Sequence, residues 1–347
     1  MTPMAPPVRR QRPAVMADVA KLAGVSVPTV SRVLNGSAVV RPDKRDRVLD
    51  AIAELNFRPS ATARALSLRQ TRNIALLAGN TSHYGYAETI RGVEEAARAA
   101  GYTVSITVAE TTDDAEVDRA IDLVLGQTAA GIVLLKFDPA GVALRERIPA
   151  DVPLVVAGGA PGSDAPQAVL DEYSAAVELI EHLLSLGHRT VHHVRIPPSR
   201  DEDGRTTGWR RALADAGAPV PPLWDADWSA ATGRTIGRAL AEDHEVTAVF
   251  AGNDEIAMGV VRGLTDAGRR VPEDVSVVGF DDHPLAELWS PSLTTVAQDF
   301  AALGRRAFGL LLALLSDEDV PAFSADRPLL VLRDSTAPPP PTAPESH

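Results

Sequence analysis

From Asn73 onward, short apolar runs alternate along the chain with longer stretches whose apolar residues recur at helical spacing. This alternation predicts parallel strands in a sheet, joined by right-handed helical crossovers. The predicted strands are 74–78, 103–108, 131–135, 153–157, 191–194, 247–251 and 275–279, and the predicted helices are 89–100, 116–126, 174–185, 206–216, 231–241 and 255–267. The sequence therefore indicates an α/β domain that binds ligands at the carboxyl ends of its strands.

Composition narrows the class of protein. The chain has 347 residues, of which 45% are apolar, enough for a large core and two or three domains. It has no Cys, which excludes disulfides, thiolate catalysis and Cys-ligated metal sites. The longest apolar run, Ala307–Leu315, is too short to cross a bilayer, and Met1–Pro13 lacks the apolar stretch of a secretory signal. We therefore expect a soluble cytoplasmic protein, without a cofactor.

The charge is unevenly distributed along the chain. Residues 1–72 contain 13 basic and five acidic side chains, a formal charge of +8, whereas the other residues carry −20. A basic segment joined to an acidic domain indicates that a polyanion such as DNA is bound by the basic segment, because the acidic domain repels it. A solvated basic helical surface would explain the same charges, so charge alone does not decide between the two.

The basic segment has the pattern of a helix-turn-helix. A helix from Met16 is followed by Gly24, suited to the left-handed conformation, and Ser26 can cap a second helix with Pro28 in its first turn. A third helix is predicted over 43–55. An ordinary helical hairpin is the alternative. The residues expected to face inward are Val19, Ala20, Leu22, Ala23, Val30, Val33, Leu34, Val48, Ile52 and Leu55.

Two stretches are more specific than this pattern. The segments MADVAKLAGVSVPTVSRVLNG (16–36) and RVLDAIAELNFRP (47–59) closely resemble the DNA-binding segment of the lactose/galactose repressor family, and the resemblance extends, with gaps, over about residues 16–335. It implies an all-α helix-turn-helix headpiece followed by a two-lobed, periplasmic-binding-protein-like α/β domain with parallel sheets. It also implies double-stranded operator DNA, a small-molecule effector and a second copy of the chain as partners.

The resemblance implies roles in DNA binding for individual residues. The recognition helix starts at Val27, and Val27, Pro28 and Arg32 take the positions that reach base edges; the Arg32 guanidinium suits guanine O6 and N7. Arg41 departs from the family, in which a Ser usually caps the third helix. The expected DNA-binding residues are Ser26, Val27, Pro28, Thr29, Ser31, Arg32, Asn35, Ser60 and Leu66.

A short hinge helix is expected over 59–71. Pro59 ends the preceding helix, and Ser60 can cap a new one that is too short to be stable alone. In the family the hinge folds on operator DNA, and its Leu, here Leu66, wedges into the minor groove and kinks the duplex. Two wedges must lie near a dyad, so we expect a homodimer on a pseudo-palindrome. A linker residue packed on its own domain is the alternative for Leu66.

The resemblance also implies an effector cleft. Arg205 takes the position whose guanidinium binds the effector, and Asp281 takes the acidic position. The Trp228 indole suits packing on a sugar ring, and Asn253 can both donate and accept hydrogen bonds, as a polyol requires. For each residue, a helix cap or a buried structural polar group is the alternative. The expected effector-binding residues are Ser82, Tyr86, Arg205, Trp228, Asn253, Asp281 and Gln298.

Two departures from the family leave the ligand open. Ala157-Gly158-Gly159 stands where many sugar-responsive members have an acid, and His83-Tyr84-Gly85 replaces the common Asn-Pro-aromatic pattern. The pocket floor therefore differs from that of those members. For Asp254 and Asp282 we favour structural roles.

The expected domain bounds follow from these assignments. We expect a disordered extension over 1–14, the helix-turn-helix over 15–58, the hinge over 59–71, the effector domain over 72–335 and a disordered Pro-rich tail over 336–347. Lobe 1 is expected over 72–162 and 297–320, and lobe 2 over 166–290 and 321–335. The tail lacks the leucine heptads of tetrameric relatives, which favours a dimer.

Together these features predict a sequence-specific transcriptional regulator that is not an enzyme, most simply a repressor controlled by a sugar. Alternatives within this class are an activator or a corepressor-type regulator that responds to a nucleobase or another metabolite. A sugar-binding receptor without DNA function would lack the basic segment. An enzyme fused to a DNA-binding domain would need a nucleophile or metal constellation, which the sequence does not offer.

Overall fold

The protein is described by a computed structural model, which covers residues 12, 14–34, 39–57, 71–159, 162, 164–197 and 203–341. The chain divides into two units, residues 1–71 and residues 72–347. Three of the expected DNA-binding residues, Asn35, Ser60 and Leu66, lie outside the described residues, as does nearly all of the expected hinge. No helix within the described residues is long and apolar enough to cross a membrane.

Three helices form the described part of the first unit: α1 Met16–Ala23, α2 Val27–Leu34 and α3 Pro42–Glu54. Gly24 ends α1 with φ 63°, and its N–H donates to the carbonyls of Ala20 and Lys21, as expected for a glycine after a helix end. The carbonyl of Ser26 accepts the first hydrogen bonds of α2, from Thr29 and Val30. The predicted helix–turn–helix succession is therefore present.

The three helices share one small core. Leu22 was expected in it but is 46% exposed, because it lies about 100° around α1 from the centre of the buried face. Leu34, Ile52 and Leu55, also expected inside, are only partly buried. Arg41 precedes α3 without a side-chain cap and lies 3.3 Å from Asp43, in an exposed ion pair. The buried core residues are Val19, Ala20, Ala23, Val30, Val33, Val48, Ala51 and Phe57.

The first sheet of the second unit has six parallel strands in the order β11-β5-β4-β3-β1-β2. Ile74 and Leu76 of β1 face a core shared with α4 and α11, whereas Ala75 and Leu77 face α5 and α6. The strands are β1 Asn73–Ala78, β2 Thr103–Val108, β3 Gly131–Leu135, β4 Leu154–Ala157, β5 Gln167–Leu170 and β11 Phe323–Asp326. The helices are α4 Tyr84–Ala99, α5 Asp114–Leu125, α6 Pro139–Arg147 and α11 Phe300–Leu315.

The second sheet has four parallel strands in the order β7-β6-β8-β9. Its helices cover both faces, with α7 and α8 on one core and α9 and α10 on the other. The strands are β6 His192–Arg195, β7 Trp224–Asp225, β8 Ala248–Ala251 and β9 Ser276–Val278; β10 Thr295–Ala297 and β12 Leu329–Val331 form an antiparallel pair. The helices are α7 Glu172–Ser185, α8 Gly204–Asp215, α9 Ala230–Ala241 and α10 Asp254–Asp266.

The two sheets with helices on both faces confirm the predicted α/β fold with parallel sheets, but the expected lobe bounds are wrong in two places. Strands β5 and β11 pair with each other in the first sheet, although both were assigned to lobe 2. The chain therefore leaves the first sheet after Leu170 and after Asp326. The cause is that β5 contains only three apolar residues, which follow the polar Gln167, and that β11 is polar and largely exposed, so neither gives a clear strand pattern.

Candidate functional site

A cavity lies where the loops that follow strands of both sheets meet. Phe137 follows β3 and Glu172 follows β5 in the first sheet, while Asn253 follows β8 and Asp281 follows β9 in the second. Carboxyl ends of parallel strands are the positions at which open α/β sheets bind ligands. The cavity is lined by His83, Tyr84, Gly85, Tyr86, Phe137, Gly159, Glu172, Ile196, Pro197, Asp203, Arg205, Trp228, Asn253, Glu255, Asp281 and Phe300.

Arg205 is the buried cation of this cavity and is 5% exposed. Its Nε and Nη2 donate to Oε1 of Glu172 at 3.2 and 2.8 Å, and its Nη1 donates to the carbonyl of Gly252. Its guanidinium carbon lies 4.4 Å from the centre of the Phe280 ring. Burial lowers the pKa of Arg205, but the carboxylates of Glu172 and Asp281 outweigh it and raise that pKa above its ordinary value.

Asp281 contacts the same guanidinium nitrogen as Glu172, with its Oδ1 3.3 Å from Nη2 of Arg205. Gln298 donates from Nε2 to the same oxygen at 2.8 Å. Burial raises the pKa of Asp281 to about 7, against the opposing effects of Arg205 and Gln298. The backbone of Asp281 has φ 113°, a region that non-glycine residues rarely adopt and that recurs at binding sites.

Asn253 is 2% exposed and performs two tasks. Its Oδ1 caps α10 by accepting from the N–H of Ile256 at 2.8 Å, so this oxygen is already used. Its Nδ2 makes one long contact, 3.4 Å, to Oε2 of Glu255. The cap uses one of the two lone pairs of Oδ1, and Nδ2 remains the group of Asn253 that is best placed to donate.

Aromatic rings also line the cavity and are called the aromatic wall below. The ring centres of His83 and Trp228 lie 5.3 Å apart, and those of Tyr84 and Phe300 lie 6.0 Å apart in an edge-to-face arrangement. Tyr86 is buried and donates from its hydroxyl to Oδ2 of Asp138 at 2.5 Å. Burial raises the pKa of Tyr86, so it stays a neutral donor.

The structure gives a reason why Gly158 and Gly159 stand where many sugar-responsive family members have an acid. Gly158 has φ 84°, and a Cβ added there would lie 2.1 Å from the Phe137 ring. An acidic side chain at this position would collide with that ring, so the aromatic Phe137 takes the space. The cavity floor is therefore apolar at the position where this chain differs from the sugar-responsive members.

Ser82 and Gln298 are the two expected cleft residues that do not line the cavity. Ser82 is exposed, and its N–H and hydroxyl both donate to Oδ1 of Asn80, at 2.7 and 2.9 Å. Gln298 lies behind Asp281, whose carboxylate it contacts. The other expected residues, Tyr86, Arg205, Trp228, Asn253 and Asp281, all line it.

Asp254 and Asp282 make structural contacts, as we favoured. Asp254 accepts from the hydroxyl of Thr295 and from the N–H of His283, both at 2.6 Å, and is almost fully buried. Asp282 pairs with Arg333 at 2.7 Å.

Residues of α2 and the residue before it form an exposed surface of the first unit. Ser26, Val27, Pro28 and Arg32 are exposed there, whereas Val30 packs inside. Thr29 and Ser31 are partly exposed. The expected base-reading side chains therefore share an accessible surface of the predicted recognition helix.

Comparison with known proteins identifies the family. Residues 15–60 match the model of bacterial regulatory proteins of the lacI family, and residues 180–336 match a periplasmic binding protein-like domain. Catabolite control protein A of Priestia megaterium is 31% identical over 309 residues, which is 87% of this chain and 93% of that protein. The chain belongs to the lacI family. It is a DNA-binding transcriptional regulator.

Other lacI-family proteins are similar over nearly their full length. The HTH-type transcriptional repressor PurR of Klebsiella pneumoniae is 33% identical, over 93% of this chain and 97% of the repressor. The Lac repressor dimer bound to operator and the anti-inducer ONPF superposes with a TM-score of 0.86 at 28% identity, covering 94% of this chain and all of that one. A transcriptional regulator CelR–cellobiose complex gives 0.67 at 29% identity, over 93% of this chain and 99% of that one.

Several cavity residues of this lacI-family chain were missed by sequence reasoning. Glu172, Asp203 and Glu255 all lie at the first turn of a helix, where an acidic residue is ordinarily explained by the helix dipole. The Asp171-Glu172 pair follows β5, so recognition of that strand would have signalled a cleft position. Phe137 follows β3 directly, which was a predicted strand, and could have been found by the same rule.

Proposed function

We propose that this regulator binds a small polar effector in the described cavity and that the bound effector changes its affinity for a pseudo-palindromic operator. The observation that carries the proposal is the buried Arg205, held between Glu172 and Asp281 at the carboxyl ends of the strands. A buried, fully bonded ion network in a cavity is a binding-site arrangement, because it costs desolvation energy that packing alone does not require.

The DNA side of the proposal rests on α2. Its exposed Val27, Pro28 and Arg32 would face the major groove, with Arg32 donating to guanine. Ser26, Thr29 and Ser31 would contact phosphates, and so would Asn35 and Ser60 of the stretches outside the described residues. Leu66, in the expected hinge, would wedge into the minor groove. The two wedges that this needs would come from the two copies of a homodimer. Such a regulator acts at the chromosome, which places it in the cytoplasm.

The effector side rests on the cavity residues. Arg205, Asp281 and Asn253 would orient the effector, Trp228 and Tyr86 would pack against it, and a sugar is the leading class. A similar transcriptional regulator, CelR, forms a complex with cellobiose, which supports a sugar as the effector class. No catalysis and no cofactor is assigned to the chain.

A nucleobase corepressor is the second candidate, and the aromatic wall favours it. Tyr84, Phe300 and Trp228 line the same cavity, and a planar base stacks on such rings. Corepression and induction use the same residues, so the sign of the response follows only from binding experiments.

Selection from a library of random DNA duplexes tests the DNA side. We expect the full-length chain to enrich a two-fold symmetric motif, and Leu66→Ala to weaken binding to that motif and reduce its bending. Enrichment of a non-palindromic motif would contradict the dimer.

Thermal shifts with a panel of sugars and nucleobases test the effector side. A ligand at a hundredfold excess over its Kd adds about 3 kcal/mol of stability. Asn253→Ser keeps a capping oxygen but removes the amide nitrogen, so it should abolish the shift. A shift of unchanged size in Asn253→Ser would place the ligand elsewhere.

A further inference from the structure

The cavity has a strong excess of negative charge. Among the described residues that line it there are four carboxylates and one permanent cation. The carboxylates are Glu172, Asp203, Glu255 and Asp281, and the cation is Arg205. A neutral sugar needs no such excess, because its hydroxyls are satisfied by paired donors and acceptors.

Arg205, the one permanent cation among the described lining residues, already contacts other groups of the protein. The Arg205 fork donates to Oε1 of Glu172 and to the carbonyl of Gly252, and its remaining contact is to Asp281. Its charge therefore balances these neighbours. In the part of the chain that the structure describes, neither Asp203 nor Glu255 has a cation within ion-pair distance, although both line the cavity.

The polar atoms that are left over are acceptors. Oδ1 of Asp203 caps α8 by accepting from the N–H of Thr206 at 2.7 Å, while its Oδ2 is buried without a hydrogen-bond partner among the described residues. Oε1 of Gln298, behind Asp281, is likewise buried and unpartnered there, in a side chain that is 6% exposed. A buried acceptor without a donor is destabilising, so Oδ2 of Asp203, which lines the cavity, calls for an N–H or O–H group from a ligand.

Aromatic rings line the cavity together with these carboxylates. Tyr84 and Trp228 line the same cavity as Asp203 and Glu255. The faces of Tyr and Trp rings attract cations, and they attract ammonium groups more strongly when water is excluded. Carboxylates and aromatic rings in one cavity form the surroundings that a protonated amine prefers to a neutral hydroxyl.

We propose that the effector is cationic, a protonated amine on a hydroxylated ring, which is the chemical class of an amino sugar. This rests on the proposed function, because it assumes that the described cavity is the effector site. The ammonium group would lie toward Asp203 and Glu255, donating three hydrogen bonds to acceptors. The ring would pack on Trp228, and Nδ2 of Asn253 would donate to a ring hydroxyl.

Isothermal titration of the full-length chain with matched ligands tests the charge. Each of glucosamine, galactosamine and mannosamine is compared with its neutral hexose and its N-acetyl form, which keeps the nitrogen but removes the charge. We expect at least one amine to bind about tenfold or more tighter than both of its neutral counterparts, the gain of one charge-assisted hydrogen bond.

Two variants localise the effect. Asp203→Asn keeps the capping oxygen of α8, and Glu255→Gln keeps the size of its side chain; both should remove most of the preference for the amine. Glu178→Gln, an exposed surface carboxylate paired with Arg327, serves as the control and should leave the preference intact.

The outcomes separate this proposal from the proposed function. Equal or tighter binding of a neutral hexose or a nucleobase, lost in Asn253→Ser, overturns the cationic effector and leaves the cavity as the effector site. Amine binding that survives Asn253→Ser, Asp203→Asn and Glu255→Gln together overturns both. Absence of binding by all three amines also overturns the cationic effector.

Discussion

Nη2 of Arg205 lies 3.3 Å from Oδ1 of Asp281, although the two residues are 76 positions apart and belong to α8 and to the loop after β9. The parallel sheet brings them together, because both α8 and that loop follow strands whose carboxyl ends share one edge. Glu172, from the end of β5, completes the group from the first sheet. One ion network therefore joins loops of both sheets.

The first prediction concerns the stability of this network. Arg205→Ala leaves two acidic side chains without their cation, so the free energy of unfolding should fall by about 3 kcal/mol or more. Denaturation by urea measures this. Arg211→Ala is the control, since Arg211 is exposed and pairs with Asp215 at the surface, and its loss should cost less than about 1 kcal/mol. Similar losses in both variants would show that the buried network contributes nothing specific.

The second prediction concerns pH. Burial raises the pKa of Asp281 to about 7, while that of an unfolded Asp is about 3.9. Because the folded state holds the proton more tightly, the contribution of this group is fully present below pH 4 and is lost as the pH rises through 7. The groups that surround Asp281 are unchanged in the reference variant, Asp281→Asn. They are Arg205, Gln298, Glu172 and Glu255.

The measurement is the unfolding free energy of the wild type minus that of Asp281→Asn, followed from pH 4 to 8. We expect this difference to decrease with rising pH over that window and to be level above it. A difference that increases with pH would mean that the ion pair with Arg205 lowers the pKa of Asp281 instead.

The third prediction concerns base reading. Arg32→Ala should weaken binding to the selected duplex by about 1–3 kcal/mol and should relax the preference at one position of each half-site, since a guanine contact is lost. Lys44→Ala, on α3, removes one charge of the same unit, so it should weaken all duplexes alike and reduce the salt slope by about one. Fluorescence anisotropy with a set of single-base variants distinguishes the two. Equal effects of both substitutions would remove Arg32 from the groove.

The fourth prediction concerns a close approach in the second sheet. A Cβ on Gly279 would lie 2.1 Å from Oδ1 of Asp254, whose carboxylate holds Thr295 and the backbone of His283. Gly279→Ala should therefore lower the free energy of unfolding by about 1–3 kcal/mol. Gly309→Ala, in α11 with open space around it, should raise it by about 0.5–1 kcal/mol. Calorimetry compares the two, and equal changes would contradict the packing account.

Much of the site could be predicted because the apolar runs in the sequence show where the strands end. Arg205, Asn253 and Asp281 follow or cap elements whose apolar runs are clear, and all three line the cavity. Ser82 does not, because Asn80 supplies a local hydrogen-bond acceptor that turns its hydroxyl away, a contact that no pattern in the sequence reveals.

What could not be predicted is pairing across long distances. The sequence does not tell which carboxylate neutralises Arg205. Glu172, 33 residues earlier, does so because α7, which begins at Glu172, packs against α8. The strand β5 was missed because the polar Gln167 starts it and leaves only three apolar residues, and with it the lobe boundary was misplaced. Leu22 shows the same limit in the first unit. The apolar spacing of α1 predicts a wider inward face than the one that is buried in the core, and Leu22 lies outside the buried part.

The central claim is that occupancy of the cavity controls DNA binding. Its most direct test is the Kd for the selected duplex, measured by anisotropy with and without a saturating amount of the panel ligand that binds best. We predict a change in this Kd of about fivefold or more for the wild type, in either direction, and none for Asn253→Ser. A ligand that binds in the cavity and leaves the DNA Kd of the wild type unchanged would contradict the account.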